Sequence, residues 1–293
     1  MSTLRLWLVA ARPRTLPAAI APVLVGTALA GSEDVFRPLA FVAALVGSVF
    51  IQVGTNLSND YSDARRGADT EDRLGPVRVT AGGLMPPQTV LVGTYVAFGI
   101  AVAAGAYLAA VAGWELLAVG VVSILAGVLY TGGPRPYGYA GLGELFVFLF
   151  FGVVAVSGSY FVQTEHVTWE ALALSVPIGL LAAAILVVNN VRDHDTDARA
   201  GKNTLAVKLG RPRARRLFAA MLALAYVVPV AIVLAGGLSP WVLLPFASLP
   251  LVPPLVRAVG TRTDGPALNA ALADTGRLLA VFALLLGGGV LLS

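Results

Sequence analysis

The 293-residue sequence contains no cysteine and only two histidines, His166 and His194. The absence of cysteine excludes disulfide bonds and thiol chemistry, and two histidines are too few for a histidine-rich metal site. Charge is scarce as well, since Asp, Glu, Lys and Arg make up only 12% of the residues, about half their share in soluble domains. With 57% hydrophobic residues and a mean hydropathy of +0.82, the composition indicates a polytopic membrane protein.

Nine apolar segments are predicted to cross the membrane, which takes roughly 20 residues of helix. They are Leu16–Ala30, Leu39–Leu57, Thr89–Ala110, Leu116–Tyr130, Leu145–Val162, Ala171–Val188, Leu217–Leu234, Trp241–Val259 and Leu278–Leu292. Pro17 and Pro22 predict that the first span is bent or partly irregular. No small-residue cleavage site marks that span as a signal peptide. We therefore predict an all-α fold, with residues 1–293 forming a single transmembrane domain.

Basic residues concentrate on one side of these segments. The N-terminus and the loops after the even-numbered segments contain every lysine and arginine except Arg37. By the positive-inside rule this side is cytoplasmic, so the N-terminus is predicted to lie inside and the C-terminus outside. The net charge of +4 follows from this bias, and we predict no nucleic-acid partner.

Two clusters of asparagine and aspartate follow the second and sixth segments. Helical spacing predicts that the members of each cluster share one face, with Asp195 lying off the second face. The clusters are Asn56, Asn59, Asp60 and Asp63, and Asn189, Asn190, Asp193 and Asp197. Four segments separate them, which suggests a duplicated four-helix unit at roughly 15–140 and 141–260, although convergence within one chain is an alternative.

If the two clusters meet, they form a pocket of oxygen ligands that favours Mg²⁺ over Ca²⁺ or Mn²⁺. Mg²⁺ completes its shell with substrate phosphates, and the neighbouring arginines and Lys202 then predict a diphosphate. A diphosphate at the end of an apolar tunnel belongs to a polyprenyl diphosphate, whose departure Mg²⁺ and cationic groups would stabilise. The alternatives are solvated loop charges and a cation-coupled secondary transporter, although transporters place such residues near the bilayer midplane.

At these residues the sequence resembles the UbiA superfamily of intramembrane aromatic prenyltransferases. That family has nine helices and two aspartate-rich motifs, which read here Asn59-Asp60-Tyr61-Ser62-Asp63 and Asp193-His194-Asp195-Thr196-Asp197. The third carboxylate of the usual first motif falls on Gly67, and Asp69 follows instead. In this departure, and in the stretches that begin at Ala11, Tyr130 and Asn189, the sequence is similar to the 1,4-dihydroxy-2-naphthoate polyprenyltransferase branch. The resemblance covers roughly Ala11–Gly210, and the last three segments match only in hydropathy.

The branch resemblance implies the membrane step of menaquinone synthesis in the bacterial cytoplasmic (inner) membrane, with the active site facing the cytoplasm. Dihydroxynaphthoate would be prenylated at the carbon bearing its carboxylate, with loss of CO₂ and diphosphate, to give demethylmenaquinone. Another aromatic acceptor, such as 4-hydroxybenzoate or homogentisate, is the main alternative. No residue reports the length of the prenyl chain.

The acidic residues divide into a predicted metal set and a predicted catalytic set. The metal set is Asn59, Asp60, Asp63, Asp69, Asp193 and Asp197, and the catalytic set is Asp60, Asp63, Asp193, Asp197 and Glu144. Asp60 is alternatively a surface carboxylate at a helix end. Asp69 and Asp72 either bind a second Mg²⁺ or cap a helix. Glu144 is either a general base or a carboxylate favoured by a helix N-terminus.

Basic and aromatic residues are predicted to contact the prenyl diphosphate. They are Lys202, Arg192, Arg78, Arg135, Tyr137 and Tyr139. Arg192 is alternatively an i, i+3 partner of Asp195. The positive-inside bias alone would also place Arg78 on this side, and Tyr137 and Tyr139 are alternatively part of an interfacial tyrosine belt. In the loop of Arg135, Pro134 occupies the position of the family's usual lysine. Arg14 is predicted to bind the acceptor's carboxylate or to anchor the first helix.

Overall fold

The computed structural model describes residues 2–68 and 74–293, and this part of the chain is helical with no β-strand. The helices are α1 (Thr3–Ala11), α2 (Leu16–Ser32), α3 (Pro38–Arg65), α4 (Pro87–Ala112), α5 (Glu115–Leu129), α6 (Gly143–Val147), α7 (Ala155–Thr164), α8 (Trp169–Arg192), α9 (His194–Arg199), α10 (Leu205–Leu209), α11 (Arg211–Leu234), α12 (Val252–Thr261) and α13 (Gly265–Leu291). A π-helical segment, Phe148–Val154, joins α6 to α7, and a 3₁₀ segment, Pro240–Leu251, precedes α12. The prediction of an all-α fold is confirmed.

Eight helical stretches in the described residues are long and apolar enough to cross a membrane. Each of the nine predicted segments overlaps one of these stretches or α5, which has only 15 residues and falls short of a full span. The chain is therefore a multi-pass membrane protein. A count of nine crossings and the cytoplasmic position of the N-terminus stay predictions.

The first membrane stretch is broken, but the break lies before Pro17 and Pro22. Helix α1 ends at Ala11, and Arg12 then adopts the left-handed conformation with φ 54° and ψ 69°. A 3₁₀ turn over Pro13–Thr15 leads into α2, which runs unbroken through Pro22. Pro17 causes no break because the first turn of a helix needs no amide hydrogen from it. The interruption turns the Arg12 side chain toward the bundle interior, where it lines the cavity described below.

The protein core lies around α8. In its apolar 18-residue stretch 72% of the residues are buried, against 22% in the corresponding stretch of α4. Its buried residues pack with those of α2, α11 and α13 in one apolar cluster. Close approach of α8 to the π-helical segment requires two glycines, since a Cβ on Gly152 would stand 2.7 Å from the Cα of Gly179. Helices α4 and α5 instead expose valines and leucines, as expected for surfaces that contact lipid.

Candidate active site

One cavity of about 410 Å³ runs through the bundle, with acidic and basic side chains at one end and mostly apolar side chains along the rest of its length. Its polar end is lined by Asp63, Arg78, Asp193, Asp197 and Lys202. The opposite end reaches Ala44 and Leu116. Asp63 and Ala44 both belong to α3, and the helix between them is about 28 Å long at 1.5 Å per residue. The cavity therefore extends through most of the thickness of a bilayer core.

The first aspartate cluster divides between the cavity and a loop. Asn56, Asn59 and Asp63 line the cavity, and the amide oxygen of Asn59 accepts a hydrogen bond of 3.0 Å from Thr131. Asp60 is buried but does not line the cavity. Its two carboxylate oxygens accept hydrogen bonds from the backbone N–H groups of Val79 at 3.1 Å and Thr80 at 2.9 Å.

These contacts make Asp60 the anchor of a loop that passes beside the cavity. We call residues 74–80 segment 74–80. Each oxygen of Asp60 accepts one hydrogen bond from this segment, and Asp60 does not line the cavity, so we leave it out of the proposed metal and catalytic sets. The alternative of a surface carboxylate is wrong, because Asp60 is 1% exposed, and its role as a metal ligand stays a prediction.

Asp63 is the point at which the polar end converges. Its Oδ1 accepts a hydrogen bond of 2.6 Å from the Tyr139 hydroxyl, and its Oδ2 lies 3.5 Å from Lys202 Nζ. Arg78 Nη2 lies 3.8 Å from the same oxygen. Lys202 Nζ also stands 4.9 Å from the centre of the Tyr139 ring. Lys202 and Arg78 therefore place two cationic donors beside Asp63, and cations of this kind form strong hydrogen bonds with phosphate oxygens.

The second cluster lies where α8 ends. Asn189, Asn190, Asp193 and Asp197 line the cavity, which brings them opposite Asp63. Asp195 is exposed and bonded to His194 at 2.7 Å and to Arg211 at 3.1 Å. These two contacts lower the pKa of Asp195 below its ordinary value. The expectation that Asp195 lies off the shared face agrees with its position.

Arg192 lies outside the cavity lining, although it precedes Asp193 directly. Its guanidinium is 1% exposed and binds both oxygens of Asp193, at 2.8 and 2.6 Å. It also donates to Asn189 at 2.8 Å and to Asn269 at 2.7 Å. The alternative of an i, i+3 pair with Asp195 is wrong, because Arg192 contacts Asp193 instead, and contact with a diphosphate stays a prediction. It holds an aspartate in place from behind.

Glu144 is buried behind Asn190 and does not line the cavity. Its Oε1 accepts a hydrogen bond of 2.9 Å from Asn190 Nδ2. Its Oε2 has no hydrogen-bond partner among the described residues. This geometry lets Glu144 act on the cavity through Asn190, whose side chain does line it.

The loop after α5 brings two aromatic side chains to the cavity. Tyr139 binds Asp63 as described. The Tyr137 ring stacks on Phe146 at a centroid distance of 4.0 Å, and its hydroxyl donates to the Ala126 carbonyl at 2.9 Å. Burial raises the pKa of the Tyr137 phenol, which keeps it neutral. Arg135 is exposed and does not line the cavity, and Lys202 supplies the cation beside the tyrosines instead.

At the N-terminal break, Arg12 lines the cavity and Arg14 does not. Arg14, which is predicted to meet an acceptor's carboxylate, is exposed and lies outside the cavity lining. Arg12 is half-buried and donates to the Asn56 carbonyl at 3.3 Å. Sequence reasoning missed Arg12 because its left-handed backbone, which ends α1, has no signature beyond Pro13.

Three further side chains extend this polar patch inside the cavity. The Thr15 hydroxyl accepts hydrogen bonds from Gln52 at 3.0 Å and Asn56 at 3.2 Å, and donates to the Arg12 carbonyl at 3.0 Å. Asn56 also donates to the Ala11 carbonyl at 2.9 Å. These bonds fix the amide nitrogens of Gln52 and Asn56 against the turn. We call Arg12, Thr15, Gln52 and Asn56 the polar belt.

The oxygen donors of the polar end suit a hard cation. Asp63, Asp193 and Asp197 line one cavity with Asn59 and no sulfur ligand. Within residues 2–68 and 74–293, no three His, Cys, Asp or Glu side chains converge tightly enough to form a complete metal site by themselves. Mg²⁺ needs only one or two carboxylates when substrate phosphates complete its shell. The predicted ligand Asp69 and its neighbour Asp72 lie outside the described residues.

Comparison with known proteins agrees with this architecture. A family model described as the UbiA prenyltransferase family matches residues 19–278. The chain is 42% identical to a 1,4-dihydroxy-2-naphthoate octaprenyltransferase of Mycobacterium tuberculosis, over 99% of this chain and 98% of the relative. It is 37% identical to a protein of the same name from Bacillus subtilis, over 96% and 91%. The solved structure of a UbiA homolog from Archaeoglobus fulgidus bound to GPP and Mg²⁺ matches with TM-score 0.70 and 17% identity, over 98% and 100%.

Proposed function

The chain belongs to the UbiA prenyltransferase family, and we propose that it transfers a polyprenyl group from polyprenyl diphosphate to 1,4-dihydroxy-2-naphthoate. The observation that carries the proposal is the cavity itself, which joins a cationic, carboxylate-lined end to a long apolar channel. Relatives that match nearly the whole chain carry the name of that activity. By the positive-inside rule, we propose that the polar end faces the cytoplasm of a bacterial cell.

In this proposal the diphosphate binds at the polar end. Lys202 and Arg78 would donate hydrogen bonds to its outer oxygens, since both already stand within 4 Å of Asp63. Charge-assisted bonds to a phosphate are among the stronger polar contacts. The prenyl chain would lie along the apolar lining, out of contact with water.

Mg²⁺ is the proposed cofactor, and Asn59, Asp63, Asp193 and Asp197 are the described residues that would hold it. When bound, the metal would neutralise the diphosphate and lower the cost of its departure. Tyr139 and Arg192 keep Asp63 and Asp193 oriented toward the cavity through the bonds already described. Asp69 remains a proposed ligand by the resemblance alone.

The acceptor is proposed to bind at the polar belt, between the metal site and the break after α1. Arg12 would pair with the naphthoate carboxylate, and the amide oxygens of Gln52 and Asn56 would accept from its two hydroxyls. Asn56 lies roughly 10 Å from Asp63 along α3 at 1.5 Å per residue. A two-ring aromatic acid fits that interval and would present its ring to the prenyl carbon.

The transfer breaks the bond between the first prenyl carbon and diphosphate, and forms a bond from that carbon to the ring carbon bearing the carboxylate. The carboxylate then leaves as CO₂, and the electron pair of its bond restores the aromatic ring. Tyr137 and Tyr139 both line the cavity, and their rings are proposed to stabilise an allylic cation. Glu144 is proposed to orient Asn190, and no proton needs to leave the substituted carbon.

The proposal is tested by a matrix of donors and acceptors with purified protein. Dihydroxynaphthoate, 4-hydroxybenzoate and homogentisate would each be offered with prenyl diphosphates of different lengths and Mg²⁺. We expect product and equimolar CO₂ and pyrophosphate with dihydroxynaphthoate. Turnover confined to another acceptor would overturn the assignment. Cation uptake into proteoliposomes without pyrophosphate release would favour a transporter. A transporter would place its ionisable residues near the bilayer midplane, whereas Asp63, Asp193 and Asp197 line one end of the cavity.

A further inference from the structure

A polar side chain near the start of the last helix touches both halves of the polar end without lining the cavity. Asn269, on α13, accepts a hydrogen bond of 2.7 Å from Arg192 Nη1 through its Oδ1. Its Nδ2 donates to the Leu74 carbonyl at 3.1 Å. The two ends of one amide therefore bind two separate parts of the site.

On one side of this bridge lies the support of Asp193. Arg192 binds both oxygens of Asp193 and also donates to Asn189, so four of its donor contacts are to three side chains. A guanidinium is planar, and its donors keep fixed directions. The hydrogen bond from Nη1 to Asn269 therefore fixes the plane of the guanidinium, and with it the orientation of the Asp193 carboxylate that the guanidinium binds.

On the other side lies segment 74–80, which carries Arg78 to Asp63. Asp60 holds its far end through Val79 and Thr80. Its near end packs on the first residue of α13, because a Cβ on Gly265 would stand 2.7 Å from the Leu74 carbonyl oxygen. Asn269 adds a hydrogen bond at the same place, so the segment is fastened at both ends.

We infer that Asn269 is a positioning residue that couples Arg78 and Asp193, so that both face the diphosphate from fixed places. The inference rests on the proposed function. Asp63 lies on α3 and Asp193 follows the last residue of α8, and the amide of Asn269 is a direct link between the supports of these two aspartates. A link of this kind matters because displacement of a binding group by about 1 Å can cost 100-fold in rate.

The test replaces Asn269 with alanine and measures substrate binding apart from turnover. Calorimetry with geranyl S-thiolodiphosphate, a donor analogue that does not react, is run at several Mg²⁺ concentrations. We expect roughly tenfold weaker binding of the analogue and a higher Mg²⁺ requirement, the usual range for partners that orient metal ligands. The KM for the acceptor should stay at the wild-type value.

The matched control is Asp274→Ala on the same helix, since Asp274 is exposed and pairs with Arg277 at 3.2 Å on the surface. It should bind the analogue as wild type does. Equal weakening for donor and acceptor in Asn269→Ala, or unchanged binding of the analogue, would overturn the inference.

A second variant covers the case in which Asn269→Ala does not fold. Asn269→Asp keeps an acceptor for Arg192 and removes the donor to Leu74, so its analogue binding should fall by a smaller factor. Wild-type affinity of this variant for the analogue would contradict the proposed coupling of Arg78 and Asp193. If wild type binds the analogue but transfers nothing to dihydroxynaphthoate, the proposed function fails, and the same binding comparison still decides the role of Asn269.

Discussion

The Tyr139 hydroxyl donates a 2.6 Å hydrogen bond to the Oδ1 of Asp63 and leaves the Oδ2 toward Lys202 and Arg78. A loop after α5 thereby sets the orientation of an aspartate on α3. The same tyrosine ring lies under the Lys202 ammonium. One aromatic residue thus contacts both an acidic and a basic member of the polar end.

Replacing Tyr139 with phenylalanine removes this hydroxyl and keeps the ring. We expect the Mg²⁺ concentration for half-maximal rate to rise about tenfold, because partners that orient metal ligands contribute on that scale. Steady-state kinetics across Mg²⁺ concentrations measures the change. Tyr95→Phe, at an exposed position on α4, is the matched control and should match wild type. An unaltered Mg²⁺ response in Tyr139→Phe would remove this tyrosine from the site.

Asp63→Ala and Asp193→Ala should each abolish measurable transfer. Each substitution removes a cavity-lining carboxylate and with it one ion-pair contact of the buried cations beside it. Transfer is followed by pyrophosphate release, and detergent-solubilised protein is checked for folding by size-exclusion chromatography. Asp195→Ala, at the exposed neighbouring position, should keep most activity. A near-normal rate in a folded Asp193→Ala protein would break the two-cluster site.

Arg12 and Arg14 give opposite predictions. Arg12→Ala should raise the KM for dihydroxynaphthoate about tenfold or more, the loss expected for a charge-assisted hydrogen bond, and leave the KM for the donor unchanged. Arg14→Ala should leave both values unchanged. The same pair is then compared with 1,4-dihydroxynaphthalene, which lacks the carboxylate.

If Arg12 binds the carboxylate, wild type and Arg12→Ala should have the same KM for 1,4-dihydroxynaphthalene. Arg12→Lys should then recover part of the lower KM that wild type has for dihydroxynaphthoate. A rise in the donor KM in Arg12→Ala would move that arginine to the diphosphate. A selective acceptor defect in Arg14→Ala would restore the original prediction for Arg14.

Asp60→Asn tests the anchor of segment 74–80. An amide offers one acceptor oxygen in place of two, so one of the N–H groups of Val79 and Thr80 loses its partner. Because hydrogen bonds to a charged group contribute about 1.5–3 kcal/mol, we expect a lower melting temperature and a higher KM for prenyl diphosphate, through displacement of Arg78. Thermal unfolding and donor kinetics measure both. A purely catalytic loss at wild-type stability would return Asp60 to the metal site.

The sequence by itself determined the fold class and one side of the site. Apolar runs of the right length require membrane helices, since lipid offers no partner for an open backbone. Helical spacing placed Asn59 with Asp63 and Asp193 with Asp197 on faces that meet at one cavity. The resemblance supplied the branch, which the relatives' names support.

Tertiary structure decided which members of each cluster reach the cavity. Asp60 and Asp63 are both aspartates on one face of α3, but a loop that follows α3 in the chain binds Asp60. Arg12 replaces Arg14 because of one left-handed residue, and Arg192 turns inward because Asn269 meets it from a helix far along the chain. Local periodicity fixes only directions around one helix axis, whereas these outcomes depend on which distant group arrives to bind the side chain.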